Sequence, residues 1–177
     1  MTVLILHGLG GSDFPHWQAQ LASDLVEDDR MTVLFPDLEE RDAPTLTQWL
    51  EELHTLMTDE HPDVVVCHSL ATILWFHYLK LYPQTHIAKQ LLVAPPDLMT
   101  PLADAPTFFP VALPDLSTHA QSSLLLLSTN DPYLPLPQAQ ELASRITIPV
   151  QWIQEGGHIN TSAGFGEWEL PRQWIMG

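Results

Sequence analysis

The segment Val64-Val65-Val66-Cys67-His68-Ser69-Leu70-Ala71 sends an apolar run straight into an apolar helical stretch through a serine. Small residues, Cys67 and Ala71, flank that serine two positions away on each side. A serine on a sharp strand-to-helix turn needs small neighbours there, because the chain bends tightly and the hydroxyl must stand clear of the sheet. A serine hydroxyl is a weak nucleophile at neutral pH, so it needs a base, and the base needs an orienting acid. Two later segments supply those types. Asp131 lies in Thr129-Asn130-Asp131-Pro132-Tyr133, just past the apolar run 123–128, and His158 lies in Gly156-Gly157-His158-Ile159-Asn160, just past the run 150–153. The expected catalytic residues are therefore Ser69 as nucleophile, His158 as general base and Asp131 as the group that holds the imidazole.

An anionic intermediate requires N–H donors. Leu70, which follows the serine, supplies one expected donor. Leu9, in the glycine-rich loop His7-Gly8-Leu9-Gly10-Gly11-Ser12, supplies the other. That loop lacks the Lys-Ser/Thr ending of a phosphate-binding loop and the spacing of a dinucleotide fingerprint. Other candidates have plainer readings. Cys67 reads as a buried structural thiol, since as a nucleophile it would be flanked by β-branched Val65. His68, next to the serine, reads as packed or locally hydrogen-bonded. His7 and His16 line the oxyanion region or serve structure. Asp37 also follows an apolar run and is the second choice for the acid. The remaining histidines show no zinc spacing, so no metal and no cofactor are expected. Trp17, Phe108, Phe109 and Tyr133 are the aromatic residues expected to wall a substrate pocket.

These groups must be positioned by a scaffold. Short runs rich in Val, Ile and Leu at 3–6, 32–35, 64–67, 91–94, 123–128 and 150–153 alternate with amphipathic stretches, the pattern of a mostly parallel sheet of about six strands with helices on both faces. Helices are expected over 16–27, after Pro44, over 70–81 and over 137–145. The fold class is α/β. Residues 95–122 break the rhythm with six prolines, Pro95, Pro96, Pro101, Pro106, Pro110 and Pro114, and read as a long loop able to form a small lid.

The chain has 177 residues, which fits one domain over 1–177 burying roughly 70% of its unfolded surface. A net charge of −16, with no Lys or Arg cluster, argues against nucleic acid and anionic membranes as partners. One cysteine gives no internal disulfide, and the amino terminus lacks a basic and apolar leader, so a cytoplasmic location is expected.

The four segments, with His16-Trp17-Gln18, resemble the small serine hydrolases of the retinoblastoma-binding-protein-nine and bacterial YdeN-like family. The resemblance implies a compact single-domain α/β-hydrolase fold, with Ser69, Asp131 and His158 at the family's triad positions and hydrolysis of small esters. Ala71 in place of glycine departs from the family's pattern. The pocket-binding motif Leu-x-Cys-x-Glu is absent, so no protein partner is carried over. The expected function is a carboxylesterase acting on small or medium acyl esters through an acyl-enzyme. The alternatives are a peptidase or amidase using the same triad, and a non-catalytic binding module that keeps the fold.

Overall fold

A computed structural model describes residues 1–177. Its centre is a six-stranded, wholly parallel sheet built from β1 (Thr2–Leu6), β2 (Thr32–Leu34), β3 (Val64–His68), β4 (Ile87–Val93), β5 (Ala120–Ser128) and β6 (Val150–Ile153). Strand order is β2-β1-β3-β4-β5-β6. The strands β1 and β3 are apolar over Val3–Leu6 and Val64–Cys67 because both faces are covered. On β1, Val3 and Ile5 point to the face covered by α1 (Trp17–Val26) and α5 (Glu169–Met176). Leu4 and Leu6 point to the other, covered by α2 (Leu46–Asp59), α3 (Leu70–Leu81) and α4 (Leu136–Arg145). No helix is long and apolar enough to cross a membrane.

The helix α3 is buried from Leu70 through Phe76, because α2 flanks it and residues 95–122 lie over it. This proline-rich segment is tied down rather than standing free. Phe108 accepts at its carbonyl from His77 Nε2 at 2.8 Å, Thr107 Oγ1 accepts from the Leu46 amide at the start of α2, and Asp97 N–H donates to Tyr133 O. Ala105, Phe108, Val111 and Leu116 are core residues. A short 3-10 turn, Pro106–Phe108, carries the anchor.

Three elements differ from the sequence reading, and the first is β5, which begins at Ala120 inside the stretch read as loop because its start pairs with Ile87. The strand β4 begins at Ile87 rather than at 91, since Lys89 and Gln90 find partners inside the fold. Gln90 accepts from Trp75 Nε1 and donates to Leu116 O, while Lys89 Nζ donates to the carbonyls of Trp174 and Ile175 at the end of α5. The helix α5 itself has no counterpart in the periodicity reading. It spans eight residues, carries Pro171 in its first turn and buries only Pro171 and Ile175 fully, too short a stripe to register.

Candidate active site

The strand order reverses direction between β1 and β3, and ligands in open α/β sheets bind beyond the carboxyl ends of the strands at such a point. The register there is specific: Leu6 pairs with Cys67. Two residues further along each strand come Gly8 and Ser69, so they meet side by side. A β-carbon on Gly8 would lie 2.8 Å from Ser69 Cβ and 3.3 Å from Ser69 Oγ, and glycine is what lets the loop close on the serine. Ser69 adopts φ 54 and ψ −123, a conformation side chains seldom take, held by its N–H donating to Val93 O and its carbonyl accepting from Thr72.

The structure brings Asp131, Ser69 and His158 together. His158 Nδ1 lies 2.8 Å from Asp131 Oδ2, and His158 Nε2 lies 2.7 Å from Ser69 Oγ. The carboxylate accepts from Nδ1–H, which leaves the Nε2 lone pair facing the hydroxyl. All three residues are buried. Asp131 also accepts from the Tyr133 amide at 2.8 Å, which fixes the carboxylate within its turn. Such a chain can take a proton from Ser69 as its oxygen attacks.

The loop carrying His158 is held on three sides. Asn130 Oδ1 accepts from the Gly157 amide at 2.7 Å, His68 Nε2–H donates to His158 O at 3.0 Å, and Trp17 Nε1–H donates to Ile159 O at 2.9 Å. His68 is therefore bonded across the fold rather than locally. Burial, with His158 and His16 beside it, pushes its imidazole well below the ordinary range, so the ring is neutral. His7 braces the glycine-rich loop: Nε2 accepts from the Leu38 amide, so Nδ1–H donates to Gly8 O at 2.7 Å. Burial lowers its affinity for a second proton as well. Asp37, the second choice for the acid, is exposed, pairs with Arg41 and takes no part in the chain. Cys67 is a buried thiol whose pKa burial pushes well up.

Of the two expected oxyanion donors, Leu9 lies in the loop after β1 and Leu70 is the first residue of α3. Leu9 follows Gly8, and its amide bonds no protein acceptor in the loop network. Leu70 opens α3, where the first N–H groups have no helical carbonyl to reach.

The cleft over Ser69 has a volume of about 220 Å³ and includes Leu9, Leu102, His16, His68, Tyr133 and Asn160 in its wall. Tyr133, 49% exposed, is the one expected aromatic that lines it. Trp17 and Phe108 do not. At 1% and 0% exposure they are core residues, Trp17 packing edge-on against Trp168 and Phe108 against Trp49. Phe109 packs partly buried against the same core, also away from the cleft. The physical reason lies in helix and anchor geometry: Trp17 heads the buried stripe of α1, and Phe108 packs its ring on Trp49 in a segment that its carbonyl bond to His77 fastens. Of residues 95–122, only Leu102 reaches the cleft, while Asp97, Leu98, Met99, Pro110, Val111 and Ala112 line a separate groove. The histidines 16 and 68 in the cleft wall were not singled out as substrate contacts, because their approach depends on α1 meeting the turn at Ser69.

A parallel sheet in this order, with a strained serine between β3 and α3 and Asp131 and His158 beyond β5 and β6, defines the α/β-hydrolase class. Within that class, the chain matches the Serine hydrolase family over residues 3–175, and it belongs to that family. Among solved structures it is similar to the ydeN gene product of B. subtilis, with 22% identity over 99% of this chain and 96% of that one and a TM-score of 0.82. A putative YdeN-like hydrolase from Pectobacterium atrosepticum is 23% identical over 99% of this chain and 89% of that one, with a TM-score of 0.76. An α/β hydrolase enzyme from a lagoon-sediment metagenome superposes with a TM-score of 0.72 at 15% identity, over 99% and 90% of the two chains. At these identities the likeness carries the fold. No curated protein matches the chain.

Proposed function

We propose that the protein is a serine esterase that hydrolyses small carboxylic esters through an acyl-enzyme on Ser69. The observation that carries this reading is the unbroken hydrogen-bond chain from Asp131 through His158 to Ser69 Oγ, at 2.8 and 2.7 Å, on the floor of an open cleft. Ser69 Oγ attacks the ester carbonyl carbon as its proton passes to His158 Nε2. Asp131 keeps the ring in the tautomer that accepts at Nε2 and stabilises the imidazolium. The carbonyl oxygen becomes an oxyanion facing the Leu9 and Leu70 amides, donors of a kind worth roughly 3 to 4 kcal/mol each. When the tetrahedral centre collapses, the C–O bond to the alcohol breaks and His158 returns its proton to the departing oxygen. Water then attacks the acyl carbon, with the same histidine as base, and the acid leaves.

A cleft of about 220 Å³ favours short acyl groups over long chains. Labelling with a fluorophosphonate probe tests the reading. Wild type is expected to label and Ser69→Ala to remain unlabelled, with p-nitrophenyl acetate hydrolysis lowered at least about 10³-fold. Equal labelling of both proteins overturns it. Activity on aminoacyl anilides matching that on p-nitrophenyl esters would move the reading to an amidase.

A further inference from the structure

Two histidines that the triad does not use share the wall of the catalytic cleft. His16 caps α1: its Nδ1 accepts from the Gln18 amide at 3.2 Å. In the neutral ring the proton must then sit on Nε2. His68 shows the opposite arrangement. Its Nε2–H donates to His158 O, so its Nδ1 carries a lone pair. Neither His16 Nε2 nor His68 Nδ1 bonds any protein atom. His54 Nδ1 is the buried side-chain nitrogen or oxygen without a partner, so these two nitrogens are not sealed off and open on the cleft. The rings lie 4.9 Å apart, and the His68 ring is 5.1 Å from that of His158. Burial with His158 nearby lowers the pKa of His16 to about 4, and His68 is held neutral likewise. The tautomers are therefore fixed through the neutral pH range.

The cleft thus offers one N–H donor and one nitrogen acceptor side by side, both uncharged. A carboxylate would find no acceptor use for the His68 lone pair, and an ammonium none for the His16 N–H. A hydroxyl group, which donates one hydrogen and accepts another, uses both. The geometry points to a hydroxyl-recognition subsite formed by His16 Nε2–H and His68 Nδ1, selecting esters whose alcohol moiety carries a free hydroxyl near the scissile oxygen. The alcohol side follows from position, because His68 packs on His158, the group that must reach the departing oxygen. This inference rests on the serine esterase reading and deepens it to a substrate class. His16 is in this role a specificity residue, and it forms no part of the proton relay.

The test compares 2-hydroxyethyl butyrate with propyl butyrate, which exchange a hydroxyl for a methyl group at nearly constant size. Wild type is expected to prefer the hydroxyethyl ester by about tenfold or more in kcat/KM, since a site built to bond a hydroxyl penalises its loss. His16→Asn and His16→Ser both keep a helix-capping side chain but do not carry a donor to the Nε2 position. Each should bring the ratio of the two esters toward one, chiefly through KM of the hydroxyethyl ester. A merely structural role would lower both esters together and leave the ratio where it was. A wild-type ratio at or below one, or a ratio that neither variant changes, overturns the subsite. Fluorophosphonate labelling run in parallel separates the two failures. A wild type that labels without discriminating loses only the subsite, whereas one that does not label loses the esterase reading itself.

Discussion

Two recesses of the protein differ in kind. One is the cleft over Ser69, about 220 Å³, walled by His16, His68, His158 and Asn160. The other is roomier, about 450 Å³, and lies between the proline-rich segment and α4, where Leu98, Met99, Val111 and Leu134 give it an apolar wall and no nucleophile enters. The smaller recess is built from the ends of strands, whose hydrogen-bond ladder fixes each side chain to its neighbour. The larger is built from a connection and a helix face. Chemistry follows the rigid origin and not the volume, because a reacting group displaced by even 1 Å loses most of its advantage.

Substitutions can break this contrast. After Ser69 itself, the largest expected effect is at Gly8, where a methyl group would press on the nucleophile. Gly8→Ala should lower kcat/KM by about 10² to 10³ with the fold retained, because the new β-carbon lies 2.8 Å from Ser69 Cβ. Steady-state kinetics beside a circular dichroism spectrum check this, and unimpaired turnover would mean that the register of β1 on β3 does not govern the site. Next comes Asn130→Ala, which frees the Gly157 amide and the Ser128 hydroxyl. Unfolding by urea should show a loss of about 1 to 3 kcal/mol, and kcat should fall about tenfold as the His158 loop loosens.

A third expectation concerns acid. His7, His16 and His68 are held neutral by burial, so their folded pKa values lie below the unfolded value of 6.5, and that of His16 lies at about 4. Between those limits the unfolded chain binds more protons, and stability rises with pH. It is complete above about pH 6.5 and declines as pH falls, for His16 down to about 4, by up to about 1.4 kcal/mol per unit. Thermal melts at pH 7 and pH 5 should show the lower Tm at pH 5, with a smaller difference in His16→Asn. Asp13 and Asp115, whose hydrogen bonds to Arg41 and Ser117 hold them below 3.8, add nothing to this window and give way only in stronger acid. The smallest effect is expected in the apolar groove. Met99→Ser, at a residue 67% exposed, should leave kcat/KM within about twofold and stability within about 0.5 kcal/mol. A large loss would tie the groove to catalysis.

The same contrast explains what could be read from sequence. Ser69, Asp131 and His158 were legible because each stands just past an apolar strand, so one-dimensional order translates into a shared sheet edge. The strands were legible because burial on both faces writes a continuous apolar run. Trp17 and Phe108 were misplaced for a different reason: an aromatic residue looks alike in a pocket and in a core. The spacing of Trp17, Leu21 and Leu25 already put that tryptophan on the inner stripe of α1, and this signal outweighs proximity to the glycine-rich loop. The sequence places His16 at the oxyanion region or in the scaffold, but its pairing with His68 leaves no linear trace, since it arises where a helix start meets a strand end. Residues 95–122 announced their irregularity through proline, but nothing in their composition told that His77 and Thr107 would fasten them.

The bond from Trp17 to Ile159 O gives the molecule an optical reporter. Trp17 packs against Trp168, with ring centroids 5.3 Å apart, while its own indole steadies the residue after His158. Trp168 immediately precedes α5, whose last carbonyls Lys89 grips from β4. Ending the chain before Trp168 would therefore remove both α5 and the ring packed edge-on against the same indole. With Trp168 and Trp174 gone, a changed emission from the four remaining tryptophans beside an unchanged far-ultraviolet signal of the sheet would follow the loosening of the His158 loop in a protein that is still folded.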